Sequence, residues 1–273
     1  MLIAQITDTH IKPGRKLAYR RVDTAGFLEA AVRHVNAFVP TVDVVMFTGD
    51  LVDLASREEY AIFRDIVDGL EVPWYVLPGN HDDPAVMMEV FADRPYVAGL
   101  SDFFHYVIED YPVRLVALDT VARRKPFGQM CDARLAWLDG TLAAEPTKPT
   151  MIFQHHPPFR TGVRHMDVQN LLDTDALLGV LAKHGQVRHV ACGHVHRASE
   201  TTIGGIGFSI APSPAHAVTL DLVDDAPPSY TLEPPAVRLF NVSDDGAVAS
   251  HLTYVGDFEG PHPFFNADGS LID

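Results

Sequence analysis

Short apolar runs recur along the chain, and each leads to a side chain that can bind or carry charge. Leu2-Ile3-Ala4-Gln5-Ile6-Thr7 ends at Asp8, and Val44-Val45-Met46-Phe47-Thr48-Gly49 ends at Asp50. Trp74-Tyr75-Val76-Leu77 stops short of Asn80, Met151-Ile152-Phe153 of His155, and Val187-Arg188-His189-Val190-Ala191 of His194. Such runs read as strands buried on both faces, the pattern of a parallel sheet. Between the first three, apolar residues return at helical spacing. Phe27, Leu28, Ala31, Val32 and Val35 follow a cap at Asp23 or Thr24 and end before Pro40. Tyr60, Phe63, Ile66 and Val67 follow Ser56, with Glu59 placed to complete a capping box. The resulting β-α-β-α-β order predicts a largely parallel sheet with helices on its faces.

Further along, Asp83 to Phe91 reads as a helix with Pro84 in its first turn. Phe104 to Ile108 and Arg114 to Leu118 read as antiparallel strands turning at Asp110 to Pro112, which predicts a second sheet stacked on the first. Ala133 to Leu142 and Asp173 to Lys183 have helical spacing, and Thr201 to Leu222 mixes strand and loop residues. Pro227, Pro228, Pro234 and Pro235 mark an extended excursion before a last strand pair, Ala236 to Val242 and Ala247 to Tyr254, turning at Asp244-Asp245-Gly246. The expected organisation is one domain over 1–273, with a cap or oligomerisation excursion around 201–235 and a peripheral tail at 256–273.

Composition narrows the class. The 273 residues are 47% hydrophobic, enough for a substantial core. No run approaches the roughly eighteen apolar residues of a membrane span, and Met1 leads directly into a strand-like segment. The expectation is a cytoplasmic protein with no membrane insertion, its Cys131 and Cys192 reduced. A formal net charge of −15 argues against a duplex nucleic-acid partner. A small anionic substrate stays compatible if bound cations reverse the field locally.

The strand ends supply the candidate chemistry. Asp8-Thr9-His10 places two metal-capable side chains two residues apart, on one side of an extended backbone. Asp50, Asn80, His155 and the pair His194 and His196 add oxygen and imidazole donors. Each motif alone is a common turn, cap or loop entry. Together they lie at carboxyl ends of strands expected in one sheet, where open α/β folds keep their sites. Oxygen and imidazole donors without thiolate suit two first-row ions such as Mn, Fe, Co or Zn. Seven ligands for two ions require one to be shared, and a carboxylate such as Asp50 can bridge where histidine cannot.

Asp8-x-His10, Gly49-Asp50-x-x-Asp53, Gly79-Asn80-His81-Asp82, His155 and Gly193-His194-x-His196 resemble the signature of the calcineurin-like metallophosphoesterases. Their order and spacing, with His155-His156-Pro157-Pro158 and the chain length, are most similar to the bacterial class III cyclic nucleotide phosphodiesterase and glycerophosphodiesterase branch. The resemblance implies a four-layer αββα sandwich, two mixed β-sheets flanked by helices, around a binuclear centre. It implies Asp8, His10, Asp50 and His196 on one metal and Asp50, Asn80, His155 and His194 on the other. It further implies that His81, as the catalytic partner of Asp50, contacts the substrate phosphate beside Asn80, and that His216 faces the substrate.

The remaining candidates take plainer roles. His156 is read as packing, Asp53 as a carboxylate that starts a helix or orients a ligand histidine, and Asp82 and Asp83 as helix caps. His34, His105, His165, His184, His189, His251 and His262 carry no functional reading. The basic loop with Lys12, Arg15, Lys16, Arg20 and Arg21 follows His10 and stands where it could overhang the site.

Two metals about 3.5–4 Å apart can neutralise a phosphodiester, lower the pKa of a water and align it with the leaving oxygen, so no serine or cysteine nucleophile is required. The expected function is hydrolysis of small phosphodiesters, either 3′,5′-cyclic nucleotides or glycerophosphodiesters, by a homodimer or larger homo-oligomer. Alternatives are a phosphomonoesterase, a broad phosphonate or phosphotriester hydrolase, and a metal-free binding scaffold, against which the full ligand set argues.

Overall fold

The computed structural model of the chain describes residues 1–272. Two mixed sheets lie face to face, with helices outside each. The first has the strand order β13-β12-β1-β2-β3. Its strands are β1 (Leu2–Ile6), β2 (Val44–Thr48), β3 (Trp74–Leu77), β12 (Ala236–Val242) and β13 (Val248–Tyr254). The second has the order β4-β5-β6-β7-β9-β8. It is built from β4 (Tyr106–Ile108), β5 (Arg114–Leu118), β6 (Thr150–Gln154), β7 (Val187–Cys192), β8 (Ser199–Ile203) and β9 (Ile206–Ile210). A separate two-stranded ribbon joins β10 (Ala217–Val218) to β11 (Tyr230–Thr231).

Alternation along the second sheet separates the layers. Leu115, Ala117, Met151, Phe153 and Ala191 share one core with the first sheet, whereas Val116, Leu118, Ile152 and Val190 share another with the helices outside. Those outer helices are α4 (Asp132–Ala144) and α6 (Thr174–Leu181), while α1 (Thr24–Asn36) and α2 (Arg57–Val67) cover the first sheet. α3 (Pro84–Val90) follows β3, and a one-turn α5 (Arg164–Asp167) follows β6. Asp23 caps α1 by accepting from Gly26 N, and Ser56 and Glu59 close the full capping box on α2.

Two expectations need correction. The strand ends belong to two sheets rather than one: β1, β2 and β3 run parallel in the first, β6 and β7 parallel in the second. Asp83 caps α3, but Asp82 does not cap a helix. It is buried, accepting from Gly79 N at 2.9 Å, Leu51 N at 3.2 Å and Tyr60 Oη at 3.0 Å, and so ties the β2 and β3 ends together. The 201–235 stretch contributes to β8, β9 and the β10–β11 ribbon.

The sheets touch where their carboxyl ends meet. Gln5 Nε2 donates across the seam to Cys192 O at 2.8 Å and, within its own sheet, to Thr48 Oγ1 at 2.9 Å. Gly193 follows at the end of β7, where a Cβ would collide with Thr7 Oγ1 and lie 2.9 Å from Thr48 O. Gly193→Ala is therefore expected to lower stability by roughly 1–3 kcal/mol, as overpacking does in a filled interior. Urea denaturation measures this, and an unchanged midpoint would contradict so close an approach.

Candidate metal centre

Parallel strands deliver their carboxyl ends to one edge, so Asp8, Asp50 and Asn80 emerge together from the first sheet and His155 and His194 from the second. The chain turns sharply there. Asp8, His10, Asp50, His194 and His196 all have left-handed backbones, with φ of 54°, 42°, 49°, 76° and 56°. Such conformations cost a residue with a side chain on the order of 1–3 kcal/mol and persist only where the surroundings enforce them. Here hydrogen bonds do so. His194 N donates to Asp8 Oδ2 at 3.0 Å, His81 N to Asp50 Oδ1 at 2.8 Å, and Ser213 Oγ to Asp8 O at 2.9 Å.

The side chains converge in two groups. Asp8, His10, Asp50 and His196 form a buried cluster. In it the Nε2 atoms of His10 and His196 are 3.1 Å apart, His196 Nε2 is 3.4 Å from Asp8 Oδ1, and His10 Nε2 is 3.6 Å from Asp50 Oδ2. In the second group, Asn80 Oδ1 lies 3.1 Å from His155 Nε2 and 3.0 Å from His194 Nδ1. His155 Nε2 is also 3.4 Å from Asp50 Oδ2, the same oxygen that faces His10. Asp50 thus stands between the groups.

The donor set fits cations. His155 Nδ1 is 2.8 Å from the Thr48 carbonyl, which can only accept, so this nitrogen carries hydrogen and Nε2 is left with its lone pair toward Asn80 Oδ1. Two acceptors facing each other need a shared positive charge, either a second ring proton or a metal ion. His196 is fixed in the same way, with Nδ1 3.3 Å from the His216 carbonyl and Nε2 turned to His10. Among the described residues the buried Nδ1 of His10 and Nε2 of His194, the ring nitrogens turned away from the two groups, have no hydrogen-bond partner.

Without a cation the carboxylates redistribute protons. Burial pushes Asp8 up to about 6, with His155 opposing and Asp50 reinforcing the shift. Burial also disfavours ionised Asp50, but His155 and His81 outweigh it and hold that carboxyl well below its usual range. On His155, burial opposes the charge while Asp50 and Asp8 overcome it, raising the ring to about 9. Burial and the His155 charge push His194 down to about 3.

Around this centre is a cavity of about 320 Å³. His81 lines it, and its Nδ1 lies 3.0 Å from the Asp53 carbonyl, leaving Nε2 free. His216 also lines it and is buried, its ring 4.5 Å from that of His196. Asp53 lies 3.8 Å from His10 Nδ1 and pairs with Lys12. The basic loop therefore spends Lys12 on Asp53 and Arg15 on Glu29. What it presents to the cavity is Tyr19, stacked on Tyr230 at 4.9 Å.

Sequence reasoning missed that wall. Tyr19, Tyr230, Met166, Gln169 and His165 all line the cavity, although His165 carried no functional reading. The one-turn α5 is too short for periodicity to reveal, and the aromatic stack joins residues far apart in sequence. His156, read as packing, is buried 4.8 Å from the His194 ring and hydrogen-bonds Thr120 Oγ1 through Nδ1 at 2.8 Å.

A family model described as calcineurin-like phosphoesterase matches residues 1–198. The chain is 42% identical, over the full length of both, to a probable glycerophosphodiester phosphodiesterase of Arcobacter nitrofigilis. It is 34% identical to a probable cyclic nucleotide phosphodiesterase of Rhodopseudomonas palustris, covering 96% of this chain and 94% of that one. Among solved structures, a dimetal phosphatase from Danio rerio superposes with a TM-score of 0.63 at 16% identity, covering 94% of this chain and 99% of that one, a likeness of fold.

The raised pKa of His155 gives a stability test on chelator-treated protein. The folded ring keeps a proton that an unfolded imidazole loses near 6.5, so its stabilisation is complete below that pH and disappears as pH rises through about 9. Unfolding free energy is expected to fall by roughly 1–3 kcal/mol between about pH 7 and 9.5. Urea titrations at the two pH values measure it, and constant or rising stability contradicts the assignment.

Proposed function

The chain belongs to the calcineurin-like phosphoesterase family, and from that membership we propose that it is a binuclear metal-dependent hydrolase of small phosphodiesters. Cyclic nucleotides and glycerophosphodiesters are the substrate classes, following the relatives' names. The observation that carries the reading is the position of Asp50 Oδ2, within 3.6 Å of His10 Nε2 and 3.4 Å of His155 Nε2. Asp8, His10, Asp50 and His196 would hold one first-row ion, Mn, Fe, Co or Zn, and Asp50, Asn80, His155 and His194 a second. Bound there, the pair supplies charge neutralisation for the phosphate and a lowered pKa for the attacking water.

The chain's own groups do the rest. Asn80, with Oδ1 turned to the histidines, has its amide NH₂ available to a phosphate oxygen. His81 is tied to the Asp53 carbonyl through Nδ1, so its Nε2 can hold the proton that the leaving alkoxide takes up. The His155 and His196 rings are prevented from rotating by the Thr48 and His216 carbonyls. His216 and the Tyr19–Tyr230 stack bound the space for one alcohol of the diester.

We further propose a cytoplasmic homodimer or larger homo-oligomer, with the projecting β10–β11 ribbon and its arm as cap or contact. Leu220, Leu222 and Val223 on that arm are exposed, consistent with such a contact.

A substrate panel on metal-loaded protein tests the activity. Bis(p-nitrophenyl) phosphate is expected to turn over faster than p-nitrophenyl phosphate, and His81→Ala to slow the diester by about 10²-fold or more, the range of a lost general acid. Equal or faster monoester cleavage overturns the diesterase reading.

A further inference from the structure

Beside the metal cavity lies a second depression of about 320 Å³, lined by Asn80, His81, Asp53, Arg124 and Lys125 among others. Asn80 and His81 line both spaces. A diester whose phosphate rests at these two residues can therefore send one alcohol toward Tyr19 and Tyr230 and the other along the groove. The two ends differ in chemistry: one is aromatic, the other carries cations.

Three observations set these cations apart from a solvated surface. First, the chain has 36 acidic residues against 21 basic ones, yet Arg123, Arg124 and Lys125 are consecutive at this edge. Among the described residues Arg124 and Lys125 have no ion-pair partner, and Arg123 reaches Asp83 only at 3.9 Å. Asp53, at the floor of the groove, already has Lys12 as counter-ion.

Second, Lys125 N donates to Ala122 O at 2.9 Å, closing a four-residue turn whose third position is Arg124 with φ of 59°. Glycine is the residue such a backbone ordinarily takes. A long cationic side chain is held there despite the strain.

Third, the stem of the loop is clamped to the metal centre. Val121 bridges Gly128, Gln129 N donates to Thr120 O at 2.8 Å, and a Cβ on Gly128 would lie 2.6 Å from the His156 ring. That ring packs on His194, so the loop stem is set against the same residues that set the centre.

We propose that this groove is a subsite for a second anionic group, a carboxylate or a phosphate, carried by one alcohol of the diester, with Arg124 and Lys125 as its cations. The proposal rests on the phosphodiesterase reading above and narrows its substrates. A flexible, partly solvated pair of this kind gives selectivity more than raw affinity, and its effect weakens with salt.

The test compares p-nitrophenyl propyl phosphate with p-nitrophenyl 2-carboxyethyl phosphate, which differ in the charge of the second alcohol. Wild-type protein is expected to favour the carboxylate in kcat/KM. Arg124→Gly combined with Lys125→Ala, which relaxes the turn while removing both charges, should cut that ratio by about fivefold. The charge-preserving pair Arg124→Lys and Lys125→Arg should retain it. An unchanged ratio in the charge-removing variant overturns the subsite.

Calorimetry on metal-loaded protein separates the anions without turnover. Binding of 3-phosphonopropionate and of 1,3-propanediphosphonate is compared with that of propylphosphonate, in wild type and in the charge-removing variant. A preference for either probe with a second anionic group that disappears in the variant supports the groove and identifies the favoured group; no preference for either overturns it. Absent turnover of both p-nitrophenyl diesters in wild type would instead count against the diesterase reading, with calorimetry still deciding the groove.

Discussion

A carboxylate taken out of water has to be compensated by nearby positive charge, and the placement of Asp50 imposes that requirement on everything around it. Only 2% of the residue is exposed. One of its oxygens accepts from His81 N, and the other lies near both His10 and His155. Asp8 brings a second fully buried carboxylate to the same place. Two such charges with four imidazoles form a site that is stable only with added protons or cations. The raised Asp8 and His155 values describe the proton solution.

The architecture serves that convergence. Two sheets with parallel central strands are stacked so that their carboxyl edges meet, and small residues permit the meeting: Gly49, Gly79 and Gly193 each lie where a Cβ would strike the opposite wall. Strain is concentrated at the same edge, in the left-handed residues Asp8, His10, Asp50, His194 and His196. The cost is borne by the cores on either side, in which β2 is buried over its whole length.

Much of this was legible because the signals are local. An unbroken apolar strand ending in aspartate, a Ser56–Glu59 capping box and an Asp-Gly turn each specify structure within a few residues. The histidines and aspartates could be named for the same reason. What was not legible is pairing across the chain. No local pattern tells that β6 and β7 belong to a second sheet, or that β12 inserts beside β1. Asp82 reads as a cap because caps are read from position, whereas its buried partners come from the turns after β2 and β3 and from α2. The 12–21 loop drew notice for its charges, yet Lys12 and Arg15 are spent on Asp53 and Glu29, and the cations beside His81 come from the loop after β5.

The proposed centre requires one buried carboxylate to be shared between two ions. Metal content by elemental analysis, on folded wild-type and Asp50→Asn protein loaded and desalted alike, tests it most directly. Two first-row ions per wild-type chain and fewer than one in the variant are expected, because both groups lose their common ligand. Two ions retained by Asp50→Asn, or a single ion in the wild type, would contradict it.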